Sequence, residues 1–331
     1  MRSEHRAGIT RRKWIAGAAG LLASTALPIA ANAQSTTQAS LRFHWTWLGG
    51  MAPMFYGVRN GFFKDAGIDL SLGEGRGSGT TVKMVALGDD TFAWADTGAV
   101  VLAAAKGVPI KQVMTFAMNT LCCVWIDGRT SIRSGKDLIG KRIGSAAGDG
   151  NDQLFPAILA VNGIRPDQVQ KIILDPATKV AALAKGRIDV LLGGTPGEPV
   201  ALRLAGLPAK TMLYSELGVP TLGQGISTSS KLLENNPDLV RRFVAATKRS
   251  WIESMKDPRA AIDAMIDHTG MQDRRPYLEM GYAALNQVLI KQQDFGFTPP
   301  AAMTETVSLL EKYSDLPKQK RAEDFYTNAF V

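Results

Sequence analysis

The stretch ALGDDTFAWADTG, residues Ala86–Gly98, decides the fold, because a related stretch, LAKGRIDVLLGGTP at 183–196, follows 98 residues later. In each copy an apolar strand ends in a polar turn and a helix-like segment follows. A period of this length is too long for a solenoid repeat and indicates two copies of one α/β unit. The aligned pairs are Gly88 with Gly186, Phe92 with Val190, Ala93 with Leu191, and Thr97 with Thr195.

Strand-like and helix-like segments alternate around both copies, which predicts parallel or mixed sheets with helices on both faces. A polar tail is predicted at 34–39, and the chain after residue 255 is predicted to be mostly helical. The predicted strands are 41–45, 68–72, 91–95, 110–116, 121–126, 141–146, 170–174 and 188–192. The predicted helices are 52–60, 80–87, 99–106, 152–161, 179–185 and 237–255.

The first 33 residues have the pattern of a cleaved export signal. Two adjacent arginines, Arg11 and Arg12, precede a short apolar run, and Ala31–Ala33 supplies a small-x-small cleavage site. The run is too short for a membrane span and contains Pro28. The paired arginines favour a twin-arginine signal cleaved after Ala33, with an ordinary secretory signal as the alternative. We therefore expect a periplasmic protein that does not span the membrane.

Charge and cysteine content exclude several classes of protein. The formal net charge is +8, of which the signal carries +4, so the exported chain is only mildly basic. Such a charge does not call for nucleic acid or an anionic membrane as partner. The two cysteines, Cys122 and Cys123, are adjacent in an apolar run and are poorly placed to bridge each other. They predict a buried strand in a protein that is stable without disulfides.

The glycine-rich stretch GEGRGSGTT, Gly73–Thr81, does not fit either nucleotide-binding pattern. No G-x-G pair in it is followed by x-x-G, and the lysine of a phosphate-binding P-loop is missing. The stretch leads from a strand into a helix, so its N–H groups and the positive helix end favour a carboxylate or sulfonate. The alternative is that Ser78 or Thr80 merely caps the helix.

The remaining polar and aromatic residues favour binding rather than catalysis. Trp45 and Trp47 lie near the end of the first predicted strand, where an aromatic platform suits a planar or apolar ligand. Of the three histidines, His5 lies in the signal, so few general bases remain. His44, next to Trp45, could reach a ligand there but is expected to be structural. No cluster has metal-ligand spacing, so neither a metal nor a cofactor is predicted.

Six blocks of sequence, in order along nearly the whole exported chain, resemble one family. The chain is similar to the periplasmic substrate-binding proteins of ABC importers for nitrate, taurine, alkanesulfonates and thiamine pyrimidines. The blocks are FYGVRNGFFKDAGIDLSL (55–72), MVALGDDTFAWADTG (84–98), AAKGVPIKQV (104–113), SGKDLIGKRIGSAAGDG (134–150), ALAKGRIDVLL (182–192) and NNPDLVRRFVAATKRSW (235–251).

The resemblance implies a two-lobed periplasmic-binding-protein fold of type II that closes on its ligand. We expect lobe I at 34–127 and 222–331 and lobe II at 128–221, joined by crossovers near 127–129 and 217–222. The positions that match the family's ligand contacts are Trp45, Thr46, Trp47, Ser78, Gly79, Thr80, Asp96, Thr97, Gly148, Asn151, Thr195, Glu198 and Gln224.

The implied function is capture of a small organic ligand and its delivery to an inner-membrane permease with its ATPase subunit, by a monomer. A sulfonate or an organic carboxylate is favoured, and the alternative is a pyrimidine held by the tryptophans, with Asp96 or Glu198 accepting from its amine. A third hypothesis is that the chain is an exported enzyme similar to the yeast-type pyrimidine synthase. That synthase has a run of cysteines where this chain has LGVPTLGQG (217–225), which argues against the enzyme.

Overall fold

The computed structural model describes residues 36–289, 295–314, 316 and 320–331. The predicted export signal, with its paired arginines and its cleavage site after Ala33, lies outside the described residues. Within them no helix is both long enough and apolar enough to cross a membrane.

The described residues form ten strands in two five-stranded sheets. The strands are β1 (Thr37–Arg42), β2 (Ile68–Gly73), β3 (Phe92–Asp96), β4 (Ile110–Thr115), β5 (Leu121–Ile126), β6 (Arg142–Ser145), β7 (Gln170–Ile173), β8 (Val190–Gly194), β9 (Ala209–Leu213) and β10 (Gln224–Ser229).

The two sheets have the same topology. The first has the order β2-β1-β3-β10-β4 and the second β7-β6-β8-β5-β9. In each, three neighbouring strands are parallel and the fourth runs antiparallel to both of its neighbours. The aligned glycines Gly88 and Gly186 both have positive φ just before the central strands β3 and β8. The predicted repeat of one α/β unit is therefore confirmed. We call each sheet with the helices packed on it a lobe.

Each sheet takes its antiparallel strand from a segment that joins the lobes. Strand β5 pairs with β8 and β9, so it belongs to the second sheet. The boundary predicted at 127/128 needs correction for this reason, because the chain leaves the first sheet after Thr115 and enters the second at Leu121. It returns between Leu213 and Gln224, where β10 begins and pairs with β3 and β4.

Two further differences from the predicted elements concern the first sheet. The predicted polar tail at 34–39 contributes to β1, which ends at Arg42 instead of Trp45. Strand β10 was not predicted, because its sequence QGISTS has no apolar run. It is nevertheless buried between β3 and β4, with Ser227 and Thr228 fully covered.

Twelve α-helices surround the two sheets in the described residues. They are α1 (Ala52–Arg59), α2 (Phe62–Asp65), α3 (Ser78–Leu87), α4 (Thr97–Ala105), α5 (Gly150–Val161), α6 (Lys179–Ala184), α7 (Glu198–Leu204), α8 (Ser230–Asn235), α9 (Pro237–Lys256), α10 (Pro258–Thr269), α11 (Arg275–Asn286) and α12 (Pro300–Tyr313).

The long helix α9 packs on the first sheet as its sequence predicts. Asn236 caps it by accepting from the Leu239 N–H, and its apolar stripe is buried. Phe243 of this stripe stacks on Phe92 of β3 with ring centroids 3.7 Å apart. Burial of a side chain of this size contributes about 1.5–3 kcal/mol, so α9 anchors the first lobe.

A second apolar cluster spans both lobes. It contains Val101 of α4 in the first lobe, Leu154 of α5 in the second, and Val307 of α12. Helix α12 therefore contacts both lobes, although 222–331 was predicted to belong to lobe I alone.

Candidate functional site

A small cavity lies between the two lobes at the ends of their central strands. Its volume is about 30 Å³. Since roughly 10–15 Å³ of such volume holds one water molecule, the cavity admits only about two or three. An organic ligand therefore enters only if the walls separate.

We define the first wall as the lining residues of the first lobe, His44, Trp45, Ser78, Asp96 and Gln224. We define the second wall as Asp149, Asn151 and Glu198 of the second lobe, with Lys179 behind them.

Asp96 is the one carboxylate of the first wall. It lies at the end of β3, and its Oδ2 accepts a hydrogen bond from the Ser78 hydroxyl at 2.7 Å. The Asp96 N–H in turn donates to Ser78 Oγ at 3.1 Å. Burial raises the pKa of Asp96, although His44 and Ser78 act to lower it. The Ser78 contacts therefore fix the position of the Asp96 carboxylate, while burial disfavours its charged form.

A chain of side chains links the core of the first lobe to His44. Trp94 donates its indole N–H to Gln224 Oε1 at 3.0 Å. The Gln224 amide nitrogen lies 3.2 Å from His44 Nε2. Burial lowers the pKa of His44, and this effect outweighs the opposing influence of Asp96, Asp149 and Glu198. The imidazole is therefore neutral at pH 7.

The second wall contains a buried ion triad. The Lys179 ammonium, which has no solvent-accessible surface, lies 3.0 Å from Asp149 Oδ2 and 3.0 Å from Glu198 Oε1. Burial acts to lower the pKa of Lys179, but the two carboxylates outweigh it and raise the value. Burial acts to raise the pKa of Glu198, but Lys179 and the Gly194 N–H lower it. The Lys179 ammonium and the Glu198 carboxylate are therefore charged at neutral pH.

Lys179 also connects the two walls. Its ammonium lies 4.7 Å from the ring centroid of Trp45, over the face of the indole. Such a cation–π contact fixes the aromatic ring against the second lobe.

The three carboxylates lie at the N-terminal ends of helices, where a ligand anion would otherwise be favoured. Asp96 and Asp149 are the residues before α4 and α5, and Glu198 is the first residue of α7. Asp149 accepts from the Asn151 N–H at 2.7 Å. The positive N-terminal ends of these helices therefore interact with carboxylates of the protein itself. Among the described residues around the cavity, three carboxylates face one ammonium.

Several buried polar atoms in or next to the walls are unpaired. In the described part of the chain, no hydrogen-bond partner is present for His44 Nδ1, Asp96 Oδ1, Asn151 Oδ1 or Thr195 Oγ1. Buried polar groups in proteins are nearly always hydrogen-bonded, so such atoms at a cavity indicate a binding surface. Two of the four are acceptor oxygens of Asp96 and Asn151.

The glycine stretch Gly73–Thr81 contacts the opposite lobe. The Gly79 N–H donates to the Gly148 carbonyl oxygen at 3.1 Å. A β-carbon on Gly79 would collide with Gln153, and one on Gly77 would lie 2.5 Å from the Gly148 oxygen. The glycines therefore permit the close approach of the two backbones when the lobes meet.

The structure places six of the predicted contact residues on the cavity: Trp45, Ser78, Asp96, Asn151, Glu198 and Gln224. Thr195 lies in a turn whose neighbours Gly194 and Pro196 line it.

The other predicted contact residues lie elsewhere. Trp47 packs edge-on against Phe55 in the first core, and Thr80 is exposed. The Thr97 hydroxyl donates a hydrogen bond to the Gly223 carbonyl at 2.7 Å, so its hydrogen already has a partner within the protein. Gly79 and Gly148 form the contact between lobes described above. Thr46 lines an outer groove.

This outer groove has a volume of about 620 Å³ and shares two residues with the cavity. Trp45 and Glu198 line both spaces, and Arg274 and Tyr277 line the groove on the outside. Trp45 therefore separates the cavity from the groove.

Sequence reasoning missed three residues of the two walls. His44 was considered but was expected to be structural, while Asp149 and Lys179 were not considered. Asp149 has a visible signal, since an aspartate just before a helix is a capping pattern. Lys179 has none, because its partners lie 30 residues before and 19 residues after it in sequence.

The two cysteines lie in β5 as predicted. Both are buried thiols, and burial raises the pKa of Cys123 to about 12. A thiol that stays protonated is a poor nucleophile. In the ranges that the structure describes, no group of three or more His, Cys, Asp or Glu residues is arranged to hold a metal ion.

Comparison with known proteins places this geometry in a family. The family model described as NMT1/THI5 like matches residues 49–261, which is more than half of the chain. The chain belongs to the NMT1/THI5-like family.

Two curated relatives of this NMT1/THI5-like chain are binding proteins. The riboflavin-binding protein RibY of Chloroflexus aurantiacus is 26% identical, over 93% of this chain and 90% of RibY. The formylaminopyrimidine-binding protein of Halalkalibacterium halodurans is 20% identical, over 83% of this chain and 85% of that protein.

A solved structure shows the same fold as this family member. The alkanesulfonate-binding protein SsuA from Xanthomonas axonopodis pv. citri, bound to MOPS, superposes with a TM-score of 0.67 at 17% identity, covering 88% of this chain and 98% of SsuA. The predicted two-lobed periplasmic-binding-protein fold is confirmed, and at this identity the likeness concerns the fold alone.

Proposed function

We propose that the chain is the extracytoplasmic solute-binding component of an ABC importer whose solute is a nitrogen heterocycle with N–H groups, of the pyrimidine or flavin class. The observation that carries this proposal is the acceptor-rich cavity. Asp96 Oδ1 and Asn151 Oδ1 have no partner in the described residues, and both accept hydrogen bonds from N–H donors.

The acidic walls argue against the anionic ligand that the glycine stretch first suggested. A sulfonate or carboxylate in the cavity would lie close to Asp96, Asp149 and Glu198, with Lys179 already paired twice. Two like charges 4 Å apart repel by about 4 kcal/mol at the effective dielectric constant near a protein surface. An N–H donor avoids this repulsion and satisfies the unpartnered oxygens.

Trp45 supports a planar ligand. It lines the cavity and is held by Lys179 on one side, so its indole offers a flat surface on which a ring can stack. The names of two relatives also support the class, since riboflavin and formylaminopyrimidine are both nitrogen heterocycles.

The mechanism follows from the position of the cavity between the lobes. A ligand that contacts both walls, once they have separated enough to admit it, favours the arrangement in which the lobes close on it and shifts the population towards that state. The closed protein, a monomer exported across the inner membrane, then presents a surface made by both lobes to the permease, which works with its ATPase subunit.

The decisive experiment is a thermal-shift and calorimetric panel on protein purified from the periplasm without refolding. Riboflavin and formylaminopyrimidine are compared with taurine and MOPS at equal concentration. A ligand at a hundredfold excess over its Kd stabilises the protein by about 2.7 kcal/mol. We expect a heterocycle to raise the Tm and the sulfonates to leave it unchanged. The reverse result contradicts the ligand class, and turnover of the bound compound would favour an enzyme.

A further inference from the structure

The orientation of the Gln224 amide follows from its contact with Trp94. An indole N–H can only donate a hydrogen bond, so the amide atom 3.0 Å from Trp94 Nε1 is the oxygen. The other amide atom, which lies 3.2 Å from His44 Nε2, is then the nitrogen. It carries two hydrogens and donates.

This orientation decides which nitrogen of His44 carries the proton. An N–H on His44 Nε2 would point at the donating amide of Gln224, so Nε2 must be the acceptor. A neutral imidazole has one N–H, and burial keeps His44 neutral by lowering its pKa. The proton is therefore on Nδ1, the atom for which the described residues supply no partner.

We infer that Gln224, oriented by Trp94, holds His44 in the Nδ1–H tautomer, and that this N–H donates to an acceptor atom of the ligand, a ring nitrogen or a carbonyl oxygen. The inference rests on the proposed function and narrows its ligand class. Gln224 acts through His44 and is a positioning residue.

A second amide at the cavity is oriented by the same logic. Asn151 Nδ2 donates to Asp149 Oδ1 at 3.0 Å, because a carboxylate only accepts, and so Asn151 Oδ1 is the acceptor left for a ligand. The two walls together offer one N–H donor and at least one oxygen acceptor. A ring that carries an acceptor and an N–H on one molecule, as aminopyrimidines and uracil-like imides do, satisfies both.

The test is ¹⁵N NMR of the histidine rings in the ligand-free protein at pH 7. The exported chain has two histidines, and the variant His268→Gln removes the exposed one, so that a single ring remains. We expect the protonated signal on Nδ1 and the unprotonated signal on Nε2. A protonated Nε2, or protons on both nitrogens, overturns the inference.

Two variants test whether Gln224 sets the tautomer. Gln224→Glu replaces the donor by an acceptor, so we expect the proton to move to Nε2 or both nitrogens to be protonated, and heterocycle affinity to fall about tenfold. The control Thr120→Val removes only the 3.4 Å contact of Gln224 with Thr120 and leaves the tautomer unchanged. A Gln224→Glu spectrum identical to the parent overturns the inference.

Titration with the heterocycles separates the two proposals. If riboflavin or formylaminopyrimidine binds and the Nδ1–H resonance does not shift, the donor role of His44 is overturned while the ligand class stands. If neither compound binds, the proposed function fails, and the tautomer measured in the ligand-free protein is judged on its own.

Discussion

The two lobes share one strand order but present opposite chemistry to the cavity between them. The second wall is paired internally at its charged groups, because Lys179 lies within hydrogen-bond distance of both Asp149 and Glu198. Its one unpaired side-chain atom in the described residues is Asn151 Oδ1. In the first wall, Asp96 and His44 each keep a polar atom without a partner in the described residues. Topology is thus common to the two lobes, while the pairing of side chains leaves unpaired polar atoms in both walls, with more of them in the first.

The largest expected effect is on the second wall. Lys179→Met leaves two buried carboxylates without their cation, and breaking a buried pair in this way costs about 3–5 kcal/mol. We expect this loss in the free energy of unfolding, measured with urea. The matched control is Lys171→Met, which breaks a pair with Asp152 near the surface and costs about 1 kcal/mol or less. Equal losses in the free energy of unfolding would show that the buried triad contributes no more to stability than the ion pair near the surface.

The next effect concerns Asp96 in the first wall. Asp96→Asn replaces one carboxylate oxygen by an amide NH₂ group, which cannot accept a hydrogen bond, and an unpaired buried polar group costs about 1–3 kcal/mol, so heterocycle affinity falls about ten- to a hundredfold. Calorimetry measures this loss. Unchanged affinity would remove Asp96 from the ligand contacts.

Stability should respond to Asp96→Asn in the opposite direction to affinity. The folded-state pKa of Asp96 is raised above its ordinary value of 3.8, so stability from this group is present below that value and is lost as pH rises through the folded pKa. The Asp96→Asn variant has no titrating group at this position, so its stability does not fall with rising pH for this reason. We expect it to be at least as stable as the parent at pH 7, with the difference disappearing below pH 3.8, as followed by thermal unfolding.

A smaller effect is expected where the lobes touch. Gly79→Ala places a methyl group against Gln153 and Gly148, and overpacking typically costs about 1–3 kcal/mol. Since the cost falls on the closed state, ligand affinity drops about tenfold and small-angle scattering shows a more open protein. The control is Gly73→Ala, whose added carbon lies nearest the Arg42 guanidinium of the first lobe and away from the contact between the lobes. If both variants bind alike, this contact does not govern closure.

The smallest effect is predicted for Thr97. Thr97→Val removes the hydroxyl that donates to Gly223 and should lower the free energy of unfolding by about 1 kcal/mol, with ligand affinity unchanged. Denaturant unfolding and calorimetry on the same preparation test both parts. Loss of affinity at unchanged stability would restore Thr97 as the ligand contact that the sequence predicted.

The sequence predicted the repeat and the edge at which the site lies. The turns after Phe92–Ala95 and Val190–Leu192 were recognisable because apolar strands end there in polar residues. Strand β10 was not, because Ser227 and Thr228 are buried by pairing on both sides and leave no apolar pattern. Its neighbours in the sheet come from more than a hundred residues away.

The chemistry of the site was harder to predict than its position. The glycines of 73–81 permit close backbone approach, but the sequence does not show that the approaching group is Gly148 instead of an anion. Lysine is a residue type that is usually exposed on a helix. Lys179 is buried only because two carboxylates that are distant in sequence pair with it. Such pairings arise from tertiary structure and have no local signal.

The account's central claim is that the cavity recognises N–H donors. Its most direct test is calorimetric titration of the protein with riboflavin and formylaminopyrimidine, each paired with an analogue whose N–H groups are methylated. Because an unpaired buried acceptor is costly, the parent compound that binds should do so at least about a hundredfold more tightly than its methylated partner. Equal affinity within a pair, or tighter binding of taurine than of either heterocycle, would contradict the account.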